Sequence, residues 1–396
     1  MSRYQQPDYS RASAQIVSEM MIEFAARTGL RPAGEVQSRY LWTDAFAVCN
    51  FLGLYGGTND ETFRKLALLL VDQVHVLLGR HRGDDRRSGW ISGLSEDEGR
   101  LHPCGGGLRI GKTMNERGPH GPFDDRLEWD RDGQYFHYLT KWMHALCRVS
   151  AVTHDPIYRR WAAELAKTAH DAFTYVPFPG GRKRMYWKMS IDLSYPLVPS
   201  MGQHDPVDGL ITCLEIRAGL MGNSEGLPDL GPEISDMGAI CEGKDWTTDD
   251  PLGIGCLLSD AFRAAQMIGI ETPEYAGLPS ALLEASRLGL DAFSKTKSLK
   301  APAERRLAFR ELGLSIGLHA LERLRGLIKK TPGIFSNQDT VADQVEKLMG
   351  YAGLAEDIER FWLEPANREA STFKEHFDIN TVMLATSLAP DEYLRV

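Results

Sequence analysis

The chain has no uncharged apolar stretch approaching the ~18 residues that a membrane-crossing helix needs, so no membrane partner is expected. Its opening residues, MSRYQQPDYSRASAQ, lack the apolar core of a secretory leader, and a cytoplasmic location is expected. Basic charge is in deficit. Lys and Arg number 45 against 54 Asp and Glu, a formal net charge of −9. That balance argues against nucleic acid as a partner, because a general binder needs a basic surface to displace counterions from phosphates. Paired cysteines are missing as well. Cys49, Cys104, Cys147, Cys213, Cys241 and Cys256 are widely spaced and form no Cys-x-x-Cys pair. Most lie in apolar context and read as small core residues, not as a disulfide framework. Cys104, in a glycine-rich stretch between charged residues, is the one expected to be exposed. No His-Glu-x-x-His or comparable ligand spacing occurs, so no metal and no cofactor are expected.

Strand signals are scarce too, with few alternating runs and few Val/Ile/Thr clusters. Helical periodicity takes their place from end to end. It predicts twelve helices, near residues 11–28, 40–55, 60–80, 132–152, 156–173, 205–221, 232–241, 250–269, 273–294, 304–329, 338–364 and 374–388. Their character alternates. The first, third, fifth, ninth and eleventh carry a charged face, in the fifth Arg159, Arg160, Glu164 and Lys167. The second, sixth, eighth and tenth are rich in small and apolar residues round most of their circumference, as in Ala45-Phe46-Ala47-Val48-Cys49 and Leu252-Gly253-Ile254-Gly255-Cys256. A helix apolar on every side is buried on every side. The predicted fold class is therefore all-α: an (α/α)6 toroid of six helical hairpins, inner ring within outer ring, forming one domain over residues 1–396.

The connections carry a second signal. Links from an inner to an outer helix are short, such as Gly56-Gly57-Thr58-Asn59 and Thr153-His154-Asp155-Pro156. Two links from an outer to an inner helix, near residues 82–131 and 174–204, are long. Long loops in a compact fold are usually functional. Both emerge on the rim where inner helices begin, and that rim is the predicted site face.

Three inner-helix openings combine aromatic and acidic residues: Arg39-Tyr40-Leu41-Trp42-Thr43-Asp44, Glu128-Trp129-Asp130-Arg131-Asp132-Gly133-Gln134-Tyr135, and His204-Asp205-Pro206-Val207-Asp208-Gly209. With the helix pairing, these openings make the chain resemble the six-hairpin glycosidase-like superfamily at the level of architecture. The resemblance implies sugar chemistry: glycoside hydrolysis, uronyl hydrolysis or epimerisation. No fingerprint of a single member family is matched.

Acids cluster at the predicted rim: Asp44, Asp130, Asp132, Asp205, Asp208, Asp249, Asp250 and Asp378. Any one of them serves equally well as a helix cap. As a set aimed into one cup they suit glycoside hydrolysis, which needs one protonated and one ionised carboxyl. Asp132 and Asp44, each beside aromatics, are the predicted catalytic pair, with His204 as a third acid–base group. Tyr40, Trp42, Trp129, Tyr135 and Trp187 are expected to stack on sugar faces, and Asp130, Asp205, Asp249, Asp250 and Asp378 to bind hydroxyls. Arg109 and Lys112, from the first long loop, and Lys188, from the second, are candidates for an anionic substrate group. The expected activity is that of a glycoside hydrolase on a small, in some cases acidic, oligosaccharide. The alternatives are an epimerase or isomerase using His204 with His376 or His137, and a non-catalytic toroid that binds carbohydrate or protein. His137 and His144 both lie on the second predicted inner helix; His137 could reach the cavity, and a satisfied core histidine is the expected reading. The literal P-loop pattern at residues 106–113 lacks the strand before it and the helix after it, and is expected to form part of a lid instead.

Overall fold

The computed structural model describes residues 11–31, 37–219, 228–268, 273–331, 333 and 338–396. The ends of two expected helices, residues 220–221 and 269, lie outside the described residues. Among the described residues, thirteen helices of eleven or more residues build the body. They are α1 (Arg11–Arg27), α2 (Leu41–Thr58), α3 (Glu61–Leu78), α4 (Phe136–Thr153), α5 (Pro156–Phe173), α6 (Asp205–Ala218), α7 (Gly231–Cys241), α8 (Pro251–Ile268), α9 (Leu278–Thr296), α10 (Ala308–Lys330), α11 (Gln338–Leu348), α12 (Gly353–Leu363) and α13 (Phe377–Leu388). The helix expected over residues 338–364 is split in two. A 3-10 turn at Met349–Tyr351, with Gly350 at its centre and Gly353 two residues beyond, interrupts it.

Helices α2, α4, α6, α8, α10 and α13 pack side by side in that order, and α13 packs back on α2. That closes the inner ring. The other helices pair with them from outside, α1 with α13 and α11–α12 with α10. The fold class is an (α/α)6 toroid. Two of the hairpin turns share one solution. Asn59 and His154 each adopt φ near +55 to +60°, ending α2 and α4. The aspartate that follows, Asp60 or Asp155, then accepts from a backbone N–H of the next helix.

Backbones meet where α8 crosses α10. A Cβ on Gly255 would fall 2.0 Å from the Gly313 carbonyl oxygen, and one on Gly317 would fall 2.5 Å from the Gly255 Cα. In an open helix Gly→Ala stabilises by about 0.5–1 kcal/mol. Gly326, on the same helix with open space around it, is such a site. Gly255→Ala is expected to reverse that sign and cost about 2 kcal/mol or more, because a backbone cannot turn aside as a side chain does. Urea midpoints of the two variants check this. Equal gains for both would contradict the crossing geometry.

Asn50 closes the seam between the first and last inner helices. Its Nδ2 donates to the Val382 carbonyl at 3.1 Å, and its Oδ1 accepts from Thr386 Oγ1 at 2.9 Å. Strand structure is confined to the long connections. Gln134–Tyr135 pairs antiparallel with Lys188–Met189, which pairs with Pro196–Val198. Among the described residues, no helix is long and apolar enough to cross a membrane.

Candidate active site

All six inner helices contribute residues from their N-terminal ends to a cavity of about 710 Å³. Tyr40 and Trp42 come from α2, His137 and Lys141 from α4, Asp205 and Asp208 from α6, and Asp250 and Asp260 from the start and interior of the α8 region. Phe309 and Arg310 come from α10, and His376 and Ile379 from α13. The two long connections add Lys112, Trp129 and Asp130, and Trp187, Gly202 and Gln203.

One wall is a continuous run of rings. Trp129 meets Trp187 at 5.4 Å, Trp187 meets Tyr135 at 5.3 Å, and Tyr135 meets Tyr138 at 5.2 Å. Tyr138 in turn meets Tyr40 at 5.6 Å, and their hydroxyls bond at 2.7 Å. Trp129, at the mouth, is 49% exposed. Rings of this kind offer flat apolar faces to the C–H faces of a ligand.

The floor is ionic. Asp208 accepts from Lys141 at 2.8 Å, from Arg263 at 3.4 Å and from the Thr140 hydroxyl. Burial works to protonate it, yet Lys141 and Arg263 hold its carboxyl below the ordinary carboxylate value. Arg263, itself buried, also donates to Asp260 at 3.0 Å and to Glu215 at 2.6 Å. Glu215 reaches His144 Nδ1 at 2.8 Å, and His144 Nε2 donates to the Tyr393 carbonyl at 2.7 Å. His144 is thus a core histidine, whereas His137, for which the core reading is the expected one, reaches the cup instead.

Asp205 sits one turn before Asp208 on α6 and, though equally buried, lacks its ionic partners. Its Oδ2 has no hydrogen-bond partner, and its Oδ1 lies 3.7 Å from His137 Nδ1, which is also unbonded. Burial, reinforced by the Asp208 charge, pushes the Asp205 carboxyl up to about 7. Gly202 makes room for it, since a Cβ there would lie 2.4 Å from Oδ2. Enclosure lowers the His137 imidazole to about 4, so the ring is neutral. Asp260 is raised to about 6, by burial first and Asp208 second. A neutral carboxyl thus stands next to a fixed carboxylate, the division of labour that acid–base chemistry on a polar bond requires.

Of the expected site residues, Tyr40, Trp42, Lys112, Trp129, Asp130, Tyr135, His137, Trp187, His204, Asp205, Asp208, Asp250 and His376 reach the cup. His204 does so with one nitrogen committed. Its Nε2 donates to the Trp246 carbonyl at 3.0 Å. The expected catalytic pair is corrected. Asp132 is fully buried away from the cup and accepts from Arg109 at 2.8 Å, Arg82 at 3.2 Å and the Gly111 and Gly133 amides. That consumes Arg109 too, which donates onward to the Leu77 and Arg80 carbonyls. Asp44 turns back to accept from the Tyr40 amide at 2.9 Å and from Arg39, as a first-turn cap. With Asp378 it lines an adjoining cavity of about 260 Å³ on the α1 side, which shares Tyr40, His376 and Ile379 with the cup. Asp378 pairs with Arg27 at 3.1 Å. Lys188 is buried on the Glu128 and Arg131 carbonyls, and Asp249 is exposed outside the cup. Cys104 is fully buried beside His75, not exposed. Residues 106–113 form turns and coil, with neither the strand nor the helix of a phosphate loop.

Sequence reasoning missed Lys141, Asp260 and Arg263. Each is a charged residue in the middle of an inner helix, among residues that are mostly buried. That contrast was the available signal, because a charge in such a place must be paired.

No family model matches the chain, and no curated protein matches it. Among solved structures, a GH76 alpha-mannanase of Bacteroides thetaiotaomicron superposes with a TM-score of 0.52 at 8% identity, covering 96% of this chain and 97% of that one. A sugar epimerase from a ruminal bacterium gives 0.45 at 10% identity, covering 86% of each chain. D-mannose isomerase gives 0.42 at 10% identity, covering 90% and 100%. Identity this low carries the fold and nothing finer. The chain therefore has the (α/α)6 toroid fold, six helical hairpins in two rings.

Proposed function

We propose that the cup binds a saccharide and that the protein is a carbohydrate-processing enzyme, a glycoside hydrolase with Asp205 as its proton donor. One observation carries the reading: a buried carboxyl that keeps its proton to about pH 7 lies beneath a continuous aromatic wall. The mannanase that shares the fold supports the sugar part of it. Asp205 gives its proton to the glycosidic oxygen as the bond to the anomeric carbon breaks. Positive charge grows on the ring carbon and is countered by the carboxylates around it. Water then supplies the new hydroxyl, and its proton passes to a rim carboxylate, Asp130 or Asp250. Arg310 fixes Asp250 at 2.8 Å.

A second reading rests on His137. A neutral imidazole with an unbonded Nδ1 beside a protonated carboxyl suits removal and return of a proton at a sugar carbon, as in an epimerase or isomerase. Proton NMR in heavy water, with a panel of neutral and acidic oligosaccharides and monosaccharides, separates the two. New anomeric signals are expected. Deuterium entering a ring carbon without cleavage would favour His137 chemistry. A panel unchanged throughout would remove the saccharide reading.

A further inference from the structure

Three cations line the cup, and two of them are already spent. Lys141 is held on Asp208 and Arg310 on Asp250, each at 2.8 Å. The third, Lys112, makes no ion pair among the described residues. Its Nζ lies 5.3 Å from the centre of the Tyr40 ring, which is itself part of the aromatic wall.

Lys112 is also held on a rigid base. Its carbonyl accepts from Arg82 Nη1, which lies 3.2 Å from Asp132 Oδ2. The neighbouring Gly111 amide donates to Asp132 Oδ1 at 2.9 Å. Gly111 has φ +94°, and a Cβ there would meet the Arg39 carbonyl oxygen at 2.2 Å, so the backbone fits only as glycine. The buried Asp132 cluster, remote from the chemistry, therefore presents one lysine at the cup. A half-buried, unpaired ammonium placed this way answers a negative charge better than one on a mobile loop, because less order is lost on binding.

We propose that the saccharide held in the cup carries a carboxylate, as a uronic acid does, and that Lys112 receives it. The inference rests on the saccharide reading above. One free cation matches one negative charge. A phosphoryl group, with nearly two charges and three acceptor oxygens, would leave most of its oxygens unanswered by charge.

Trp42, Trp129 and Trp187 in the cup supply the assay. Tryptophan fluorescence is titrated with the methyl glycosides of glucose, mannose and galactose, with those of the matching uronic acids, and with the sugar 6-phosphates. At least one uronide is expected to bind roughly tenfold or more tightly than its neutral partner. That ratio is expected to fall to about one in Lys112→Met and to persist in Lys112→Arg. A ratio near one in the unaltered protein, a ratio that survives Lys112→Met, or a preference for the 6-phosphates would overturn the proposal while leaving the saccharide reading standing. Absence of any response across the panel would overturn both.

Discussion

Asp205→Asn is expected to lower turnover roughly a thousandfold, the scale of a positioned general acid. The same variant is expected to be more stable than the parent above pH 7. In the folded protein the Asp205 carboxyl is raised from 3.8 to about 7. The folded state therefore binds this proton more tightly than the unfolded chain does. Stability from this group is lost as pH rises from about 4 to 7, and the cost of an ionised, unpaired Asp205 is complete above that. A shift of this size corresponds to a few kcal/mol, on the order of 4 at most. Asparagine removes the charge and keeps the shape. The stability gain should accordingly be near zero at pH 4 and largest at pH 8. In the parent, turnover should fall as pH rises through about 7, where the donor loses its proton. Melting curves at the two pH values and a pH–rate profile test both parts. An unchanged turnover in Asp205→Asn would remove it as the donor, and a variant less stable at pH 8 would contradict its unpaired burial.

Arg263→Met should cost about 3–5 kcal/mol of folding free energy, the range for stripping the partner from buried charges. One buried guanidinium serves Asp208, Asp260 and Glu215 at 3.4, 3.0 and 2.6 Å. Burial works against the Glu215 carboxylate, yet His144 and Arg263 hold it down to about 2. Without Arg263 these carboxylates face burial with only Lys141, Thr140 and His144 to answer them. They regain ease by taking up protons. The variant should therefore recover part of its lost stability as pH falls from 8 to 5, a dependence that simple loss of packing would not produce. Urea midpoints at both pH values read it. A loss under about 1 kcal/mol would show that the arginine is dispensable to the floor.

The sequence made the rings legible and left the acids ambiguous, for one physical reason. Whether a helix is buried on one side or all round shows in its own residues, so the alternation along α1 to α10 could be read directly. The role of a carboxylate depends on what comes to meet it. Asp132 and Asp205 both sit at expected starts of inner helices. What separates them is the arrival of Arg82 and Arg109 at the first, and of only the neutral His137, 3.7 Å away, at the second. Those arginines lie 50 and 23 residues away in the chain, with no periodicity linking them. Asp44 was open to a cap reading from the outset, and its bond to the Tyr40 amide is that cap. Lys188 reads as a candidate for an anionic substrate group until the strand pairing of Tyr135 with Lys188 buries it on the Glu128 and Arg131 carbonyls.

The clasp at Asn50 sets an order on synthesis. It joins residues separated by 332 and 336 positions, so it forms only after α13 has left the ribosome. Until then the toroid is an open arc. The flanks of α2 and α10 that α13 covers are bare, and the cup lacks His376 and Ile379 on one side. The nascent chain therefore spends most of its translation with an apolar slot one helix wide. Chaperone binding to stalled chains should drop once residue 388 emerges and the slot is filled.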